Sequence, residues 1–230
     1  MPAFQLATIP VTVFHQNCSI LWDTATRNTA VIDPGGEPGR IVDTLNRLGL
    51  MPEIILLTHG HLDHAGGAKA LKGVIDAARQ QVGLAPIPIV GPDIRDKFLL
   101  DSIEAQSAKF GITGLRDVVP DRWLEEGEVI TLGSLRFDVL HCPGHTPGHL
   151  VFVEKTQRMA LVGDVIFNRG VGRTDFEYGD GAALIAAIQT KLLPLGDDIA
   201  FVCGHGEGST FGAERLANPF LQTPHSAGAG

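Results

Sequence analysis

Short apolar runs closed by Gly, Pro or Asp alternate along this chain with stretches whose apolar residues recur every three or four positions. Ile9-Pro10-Val11-Thr12-Val13-Phe14, Cys18-Ser19-Ile20-Leu21-Trp22 and Ala30-Val31-Ile32-Asp33 are β-prone and separated by polar turns. They predict a β-meander over residues 4–33, closed by the sharp turn Asp33-Pro34-Gly35-Gly36. Ile41, Val42, Leu45 and Leu48 then fall at helical spacing before Gly49, predicting a helix over 37–49. Ile54-Ile55-Leu56-Leu57 reads as a buried strand and residues 65–81 as a helix. Residues 85–90, with two prolines, read as an edge or short strand. Residues 93–111 predict a helical excursion with Phe98, Leu99, Leu100, Ile103 and Phe110 facing the core; cover over a site is the alternative. The β pattern returns after Trp123. Residues 128–132 and 135–140 flank Gly133-Ser134, a two-residue hairpin signal. Strands follow at 150–153 and 159–162, a helix at 181–193, and a last buried strand at 199–203.

Several of these strands end in residues that bind metals: His59 and His61, then His145, Asp164 and His205. Separate strand tips converge at one edge of a layered α/β structure, where sites are usually built. The densest group is Thr58-His59-Gly60-His61-Leu62-Asp63-His64, between a strand and a helix start. His59 and His61 lie two apart in extended backbone and project to the same side. Asp63 and His64 face the same space from just beyond the turn. Imidazole nitrogens and carboxylate oxygens suit Zn²⁺, and also Fe or Mn. The plain alternative is a polar loop that contains three histidines; the rarity of histidine and the strand-end position disfavour it.

Composition narrows the class. The 230 residues suffice for one large domain or two small ones, and 44% apolar with 19% charged residues describes a globule that needs no disulfide. No fixed-period repeat or inter-domain linker interrupts residues 1–221, read as one domain. The small, polar residues 222–230 read as a disordered tail. Three widely spaced cysteines without a CxxC point to free thiols in a reducing compartment. Neither a signal peptide nor an apolar run of ~18 residues is present, so a cytoplasmic protein without a membrane span is expected. The formal net charge of −8 argues against nucleic acid as a partner.

The motifs also carry a resemblance. Thr58–His64, Pro143-Gly144-His145-Thr146-Pro147-Gly148-His149, Gly163-Asp164 and Gly204-His205-Gly206 resemble, in kind and order, the metallo-β-lactamase superfamily. Gly172-Arg173-Thr174-Asp175-Phe176 looks like its glyoxalase II (hydroxyacylglutathione hydrolase) branch and the related persulfide dioxygenases. From Phe14-His15-Gln16-Asn17-Cys18 to Asn218-Pro219-Phe220, the chain is similar to short single-domain bacterial glyoxalase II-like proteins. The resemblance implies an α/β fold, a four-layer αββα sandwich with a two-metal site between the sheet edges. Carried over by motif, His59, His61 and His145 hold one divalent ion. Asp63, His64 and His205 hold the other, and Asp164 bridges them. Zn is the expected metal, with Fe or Mn as alternatives. Cys142 and Cys203 adjoin the ligands and read as buried small hydrophobes. Asp164 stands where classical β-lactamases of this fold would be expected to place a cysteine or another arrangement, which weakens an antibiotic-hydrolase reading.

The implied activity is hydrolysis of a small-molecule thioester such as an S-2-hydroxyacylglutathione by a hydroxide bridging the two metals, with Asp63 and Asp164 at the catalytic centre. Two metals sharing a water lower its pKa toward ~7, and a thiol of pKa ≈ 8.5 leaves readily. Full-length glyoxalase II carries a helical C-terminal domain that supplies much of its glutathione-binding surface; this sequence runs only a short way past the His205 strand. The alternatives are a persulfide dioxygenase with one Fe on His59, His145 and Asp164, a lactonase, and a metal-stabilised binding module. Open coordination positions rank the last lowest. Arg173 is a candidate contact for an anionic substrate, with pairing to Asp175 or Glu177 as the alternative. Tyr178 is a candidate hydrogen-bonding contact, with a half-buried packing role as the alternative. Asp33 either orients a ligand histidine or is a simple turn residue. His149 reads as a satisfied loop histidine, and His15, His141 and His225 as structural or solvated. Oligomeric state is not implied.

Overall fold

Ile20 and Leu21 are neighbours in one strand yet face different hydrophobic layers, and the same alternation sorts the whole core. The computed structural model describes residues 3–222. Strands β1 (Phe4–Val11), β2 (Gln16–Asp23) and β3 (Thr29–Ile32) form the expected meander, followed by α1 (Pro38–Leu48) and β4 (Pro52–Leu56). Next come α2 (Leu62–Ala65), α3 (Ala68–Gln81), β5 (Ile89–Val90), α4 (Lys97–Leu100) and α5 (Ile103–Lys109). The second half holds β6 (Val129–Leu132), β7 (Leu135–His141), β8 (Leu150–Glu154), β9 (Met159–Gly163) and the hairpin β10 (Ile166–Phe167) and β11 (Gly170–Val171). It closes with α6 (Gly181–Ala187), β12 (Ala200–Cys203), β13 (Ser209–Thr210), α7 (Phe211–Ala217) and α8 (Pro219–Gln222).

One sheet runs β1-β2-β3-β4-β5 and the other β13-β12-β9-β8-β7-β6. Between them Leu21, Ala30, Ile32 and Leu56 meet Phe137, Val139, Phe152 and Leu161. On the outside of the first sheet, Ile20, Val31 and Ile55 bury Ile41 and Leu45 of α1 with Leu71 and Ile75 of α3. On the outside of the second, Val151, Val153, Ala160 and Val162 bury Leu184 of α6 and Phe211 of α7. Three cores separate four layers, the αββα sandwich. At the end of β2 remote from Gln16, Asp23 accepts hydrogen bonds from Ser134 N in the β6–β7 turn and from Ala25 N and Thr26 N, joining the two sheets.

Several elements differ from expectation. The helix expected over 65–81 is interrupted at Gly66-Gly67. The strand expected over 85–90 shrinks to Ile89–Val90, since Pro86 and Pro88 have no N–H to give a ladder. Residues 181–195 wind as α, then π, then 3₁₀ turns rather than one helix. In the excursion Leu99, Leu100 and Ile103 are buried, but Phe98 and Phe110 are exposed. Two short helices broken at Asp101-Ser102 do not keep one inward stripe over 93–111. Phe98 instead stands edge-on to Tyr178 at 5.2 Å, and Phe110 edge-on to Phe14 at 6.0 Å. Gln222, where the expected tail begins, ends α8; residues 223–230, with His225, lie outside the described residues. Among the described residues no helix is long and apolar enough to cross a membrane.

Candidate metal centre

Each sheet contains parallel neighbours whose carboxyl ends point to one shared edge. In the first sheet β3 and β4 are parallel and deliver Asp33 and Thr58-His59; in the second β9 and β12 are parallel and deliver Asp164 and His205. The loop after β7 brings His145, and α2 presents Asp63 and His64 in its first turn. The start of β2 fastens the His205 loop: Asn17 Nδ2 donates to Cys203 O at 3.0 Å and Gly206 O at 2.8 Å.

All seven expected donors come together. The ligand atoms of His59, His61 and His145 lie within 4.8 Å of one another, as do those of Asp63, His64 and His205. Asp164 reaches both sets, with Oδ1 3.4 Å from His64 Nε2 and Oδ2 3.5 Å from both His145 Nε2 and His205 Nε2.

The histidines are held from behind. His59 Nδ1 lies 3.0 Å from Thr58 Oγ1, and His61 Nε2 2.9 Å from the Tyr178 hydroxyl. His64 Nδ1 meets Asp33 Oδ2 at 2.9 Å, His145 Nδ1 meets Arg173 O at 2.8 Å, and His205 Nδ1 meets Phe14 O at 3.2 Å. The other nitrogen of each ring faces the common space. There His64 Nε2, His145 Nε2 and Asp164 Oδ1 are buried without a hydrogen-bond partner among the described residues. Unpaired buried polar atoms are costly, and here they converge on one point. Five imidazole nitrogens and two carboxylates, without a thiolate, fit a pair of divalent cations of the Zn, Fe or Mn kind, and the outward hydrogen bonds are those that orient ligand histidines. A further grouping of Asp33, His59 and His64 is equally close. Asp33, however, is engaged by Thr58 N at 2.8 Å, Thr58 Oγ1 at 2.6 Å and the outward nitrogen of His64. It therefore orients its neighbours and is more than a turn residue.

Burial and the crowding of imidazoles hold His59 well below its ordinary pKa and bring His61 down to about 3. The neutral form is favoured in both, and their inward nitrogens, His59 Nε2 and His61 Nδ1, lie 3.1 Å apart. Burial would lower His64 too, but the carboxylates of Asp164 and Asp63 outweigh it and hold it well above the usual histidine value. Burial opposes ionisation of Asp164, yet His64, His145 and His205 hold its carboxyl well below the usual range.

An open cleft of about 520 Å³ lies over these groups, walled by Phe14, Phe110, Phe167, Phe176 and Tyr178. Arg173 also lines it. Its guanidinium donates to both oxygens of Asp175, at 2.7 and 2.9 Å, and lies 4.4 Å over the Phe176 ring. Tyr178 stacks on Phe176 at 5.2 Å while bonding His61. Arg173 is thus paired with Asp175 and still borders the cleft, and Tyr178 combines packing with a hydrogen bond.

The pattern characteristic of the Metallo-beta-lactamase superfamily matches residues 11–205. The chain belongs to this superfamily. Within the metallo-beta-lactamase superfamily it is 47% identical, over 216 residues, to hydroxyacylglutathione hydrolase GloC of Haemophilus influenzae, an alignment spanning 94% of this chain and 97% of that protein. Among solved structures, the BLEG-1 B3 metallo-beta-lactamase superimposes with a TM-score of 0.81 at 31% identity, over 95% of this chain and 100% of the other. TTHA1623, solved in a di-iron-bound form, gives 0.81 at 32% identity, over 94% and 100%.

Two residues in this metallo-beta-lactamase fold exceed what the sequence suggests. His149 is fully buried, stacked on His59 at 4.5 Å, and accepts the Asp164 N–H at Nε2 (3.0 Å), while Nδ1 has no partner among the described residues. It supports the Asp164 backbone and is not a satisfied loop histidine. Asp96, wholly buried in the excursion, leaves no signal in the sequence because one acid in a mixed segment makes no pattern. Burial, opposed by hydrogen bonds from Thr146, Gly60 and Gly148, pushes its carboxyl up to about 6.

Proposed function

We propose that this chain is a metal-dependent hydrolase of thioesters, with an S-2-hydroxyacylglutathione as the first candidate substrate. The observation that carries the reading is the convergence of the unpartnered His64 Nε2, His145 Nε2 and Asp164 Oδ1 beneath an aromatic cleft. The 47% identical relative is a hydroxyacylglutathione hydrolase, which supports the thioester class. His59, His61 and His145 would hold one cation and Asp63, His64 and His205 the other, with Asp164 between them. Zn is the first choice. Iron is supported by the di-iron form of a 32% identical protein, and the donor set also accepts Mn. Two such cations supply Lewis acidity and activate water near neutral pH.

The chain's own groups do the rest. Asp63 and Asp164 are both held ionised, the first by His64 and His205 and the second by His64, His145 and His205, each against its own burial. Each thus offers an anionic oxygen that would draw a divalent cation and can accept a hydrogen bond from an attacking water. Phe14, Phe110 and Phe176 give the open cleft an apolar wall against which the acyl group can pack. Tyr178 steadies His61, and Arg173 stands on the wall where a thiol carrier enters. The departing thiolate needs no dedicated acid. Three buried free cysteines fit a cytoplasmic setting.

A persulfide dioxygenase would share these motifs but need one iron on His59, His145 and Asp164; the 47% identity to a hydroxyacylglutathione hydrolase favours the hydrolase. The test is metal analysis of the isolated protein with paired assays, one for S-lactoylglutathione hydrolysis and one for persulfide-dependent oxygen uptake. Two metal equivalents and thioester turnover are expected. Absence of thioester turnover in both Zn- and Fe-loaded protein overturns the proposal.

A further inference from the structure

Asp96 belongs to neither sheet, yet its carboxylate joins the two loops that carry His59, His61 and His145. Oδ2 accepts from Gly60 N, between His59 and His61, at 2.9 Å and from Thr146 Oγ1, next to His145, at 2.7 Å. Oδ1 accepts from Gly148 N at 2.5 Å. Asp93 N adds a bond to Gly148 O at 3.2 Å. The loops lean directly on this segment. A Cβ on Gly60 would lie 2.8 Å from Leu99 Cβ and 3.0 Å from Asp96 O, and one on Gly148 would lie 2.7 Å from Asp96 N and 2.8 Å from Asp96 Cγ. Neither loop can keep this approach with a larger residue. The other donor set has a brace of its own in Asp33, which holds His64 directly and, through Thr58, also backs His59. The hydrogen bonds of the Asp96 carboxylate do not extend to Asp63, His64 or His205.

We propose that Asp96 is a positioning residue that locks the His59–His61 loop to the His145 loop and thereby sets the affinity of one cation of the pair independently of the other. The inference rests on the reading in which His59, His61 and His145 share a cation. Three donors converge on two oxygens, so the site requires a carboxylate. An asparagine keeps the shape but has one acceptor oxygen, and its NH₂ would face an N–H or O–H donor.

The test uses the full chain, stripped of metal and titrated with Zn²⁺ against a chromophoric chelator. The wild-type chain is expected to take up two equivalents. In Asp96→Asn one affinity falls about 10–100-fold while the other stays within about twofold, the scale seen when a partner of a ligand histidine is lost. Asp33→Asn, which loosens His64 directly and His59 through Thr58, weakens both equivalents and so contrasts with the one-sided loss in Asp96→Asn. Thr146→Val shifts the same affinity as Asp96→Asn by a smaller factor, and Thr146→Ser, which keeps the hydroxyl, restores it. Unchanged affinities in Asp96→Asn, or equal losses at both equivalents, overturn the proposal. If Asp96→Asn does not fold, the Thr146 pair decides, and identical affinities in Val and Ser variants overturn it. A wild-type chain that binds a single equivalent removes the two-cation reading; the inference then stands or falls on whether Asp96→Asn weakens that one affinity.

Discussion

The two donor sets occupy one space but are braced by different architecture. Asp63, His64 and His205 are fixed by the first sheet: Asp33 follows β3 and holds His64, while Asn17 at the start of β2 fastens the His205 loop. His59, His61 and His145 sit on loops that meet over Asp96, in a segment outside both sheets. Strand pairing positions the first set as a by-product of making a sheet, because register fixes the strand ends. The second set has one buried carboxylate and two close glycine contacts joining its loops, with Thr58, Tyr178 and the Arg173 carbonyl behind the individual rings. The same chemistry can therefore be lost on one side by unpairing strands and on the other by loosening a single clamp.

The largest effect tests what the two sets share. Asp164→Ala removes the group reaching both, so metal content and turnover should fall together, turnover by on the order of 10³-fold, from several kcal/mol of lost charge stabilisation. Metal analysis beside S-lactoylglutathione hydrolysis reads this, and retention of two tightly held equivalents would contradict it. Next, Asp33→Asn loosens His64 directly and His59 through Thr58, so both Zn²⁺ equivalents should weaken, one of them about 10–100-fold, measured by chelator competition. The contrast with Asp96→Asn disappears if that variant also weakens both equivalents alike.

Gly148→Ala strikes the loop-braced set sterically. Its new methyl meets the Asp96 backbone and should cost about 1–3 kcal/mol, a melting point lower by roughly 2–12 °C. Gly73 in α3 has nothing within 4 Å of its added Cβ, so Gly73→Ala should instead stabilise, by up to about 1 kcal/mol. Calorimetry of the two variants side by side gives the sign of each, and stabilisation by both would mean that the loop approach is not tight.

The smallest effect lies at the far end of the sandwich. Hydrogen bonds from Ser134 hold the Asp23 carboxyl well below its ordinary range. A depressed carboxylate contributes stability that is fully present above its unfolded pKa of about 3.9 and is lost as pH falls through its folded value. Asp23→Asn should therefore be less stable than wild type near neutrality, and the gap should narrow below about pH 4. Denaturant melts from pH 7 to 3 measure this; metal affinities at pH 7 should be unchanged.

The stretch at the tip of β4 is the most legible part of the site in the sequence. His59, His61, Asp63 and His64 are nearly contiguous, and alternation after a buried run places them without knowledge of the rest. His145, Asp164 and His205 are visible as residues at strand ends, but their convergence depends on crossovers that periodicity does not encode. Asp33 is visible as a polar residue at a strand end. Asp96 is not, because its partners are backbone N–H groups and one hydroxyl far away in sequence. Phe110 lines the cleft and Phe98 meets Tyr178 at its edge because α4 and α5 are broken at Asp101-Ser102, which a helical count through 93–111 cannot register.

Cys18, Cys142 and Cys203 are all buried, and burial pushes the Cys142 thiol up to about 12. Thioester cleavage would release a thiol at the cleft mouth with every turnover, and oxidised thiols attach to proteins by exchange with an exposed, ionised sulfur. The polypeptide offers none at its surface. An enzyme working among its own liberated thiols is thus proofed against being capped by its product in mixed-disulfide form, and its activity should not need a reducing agent to persist.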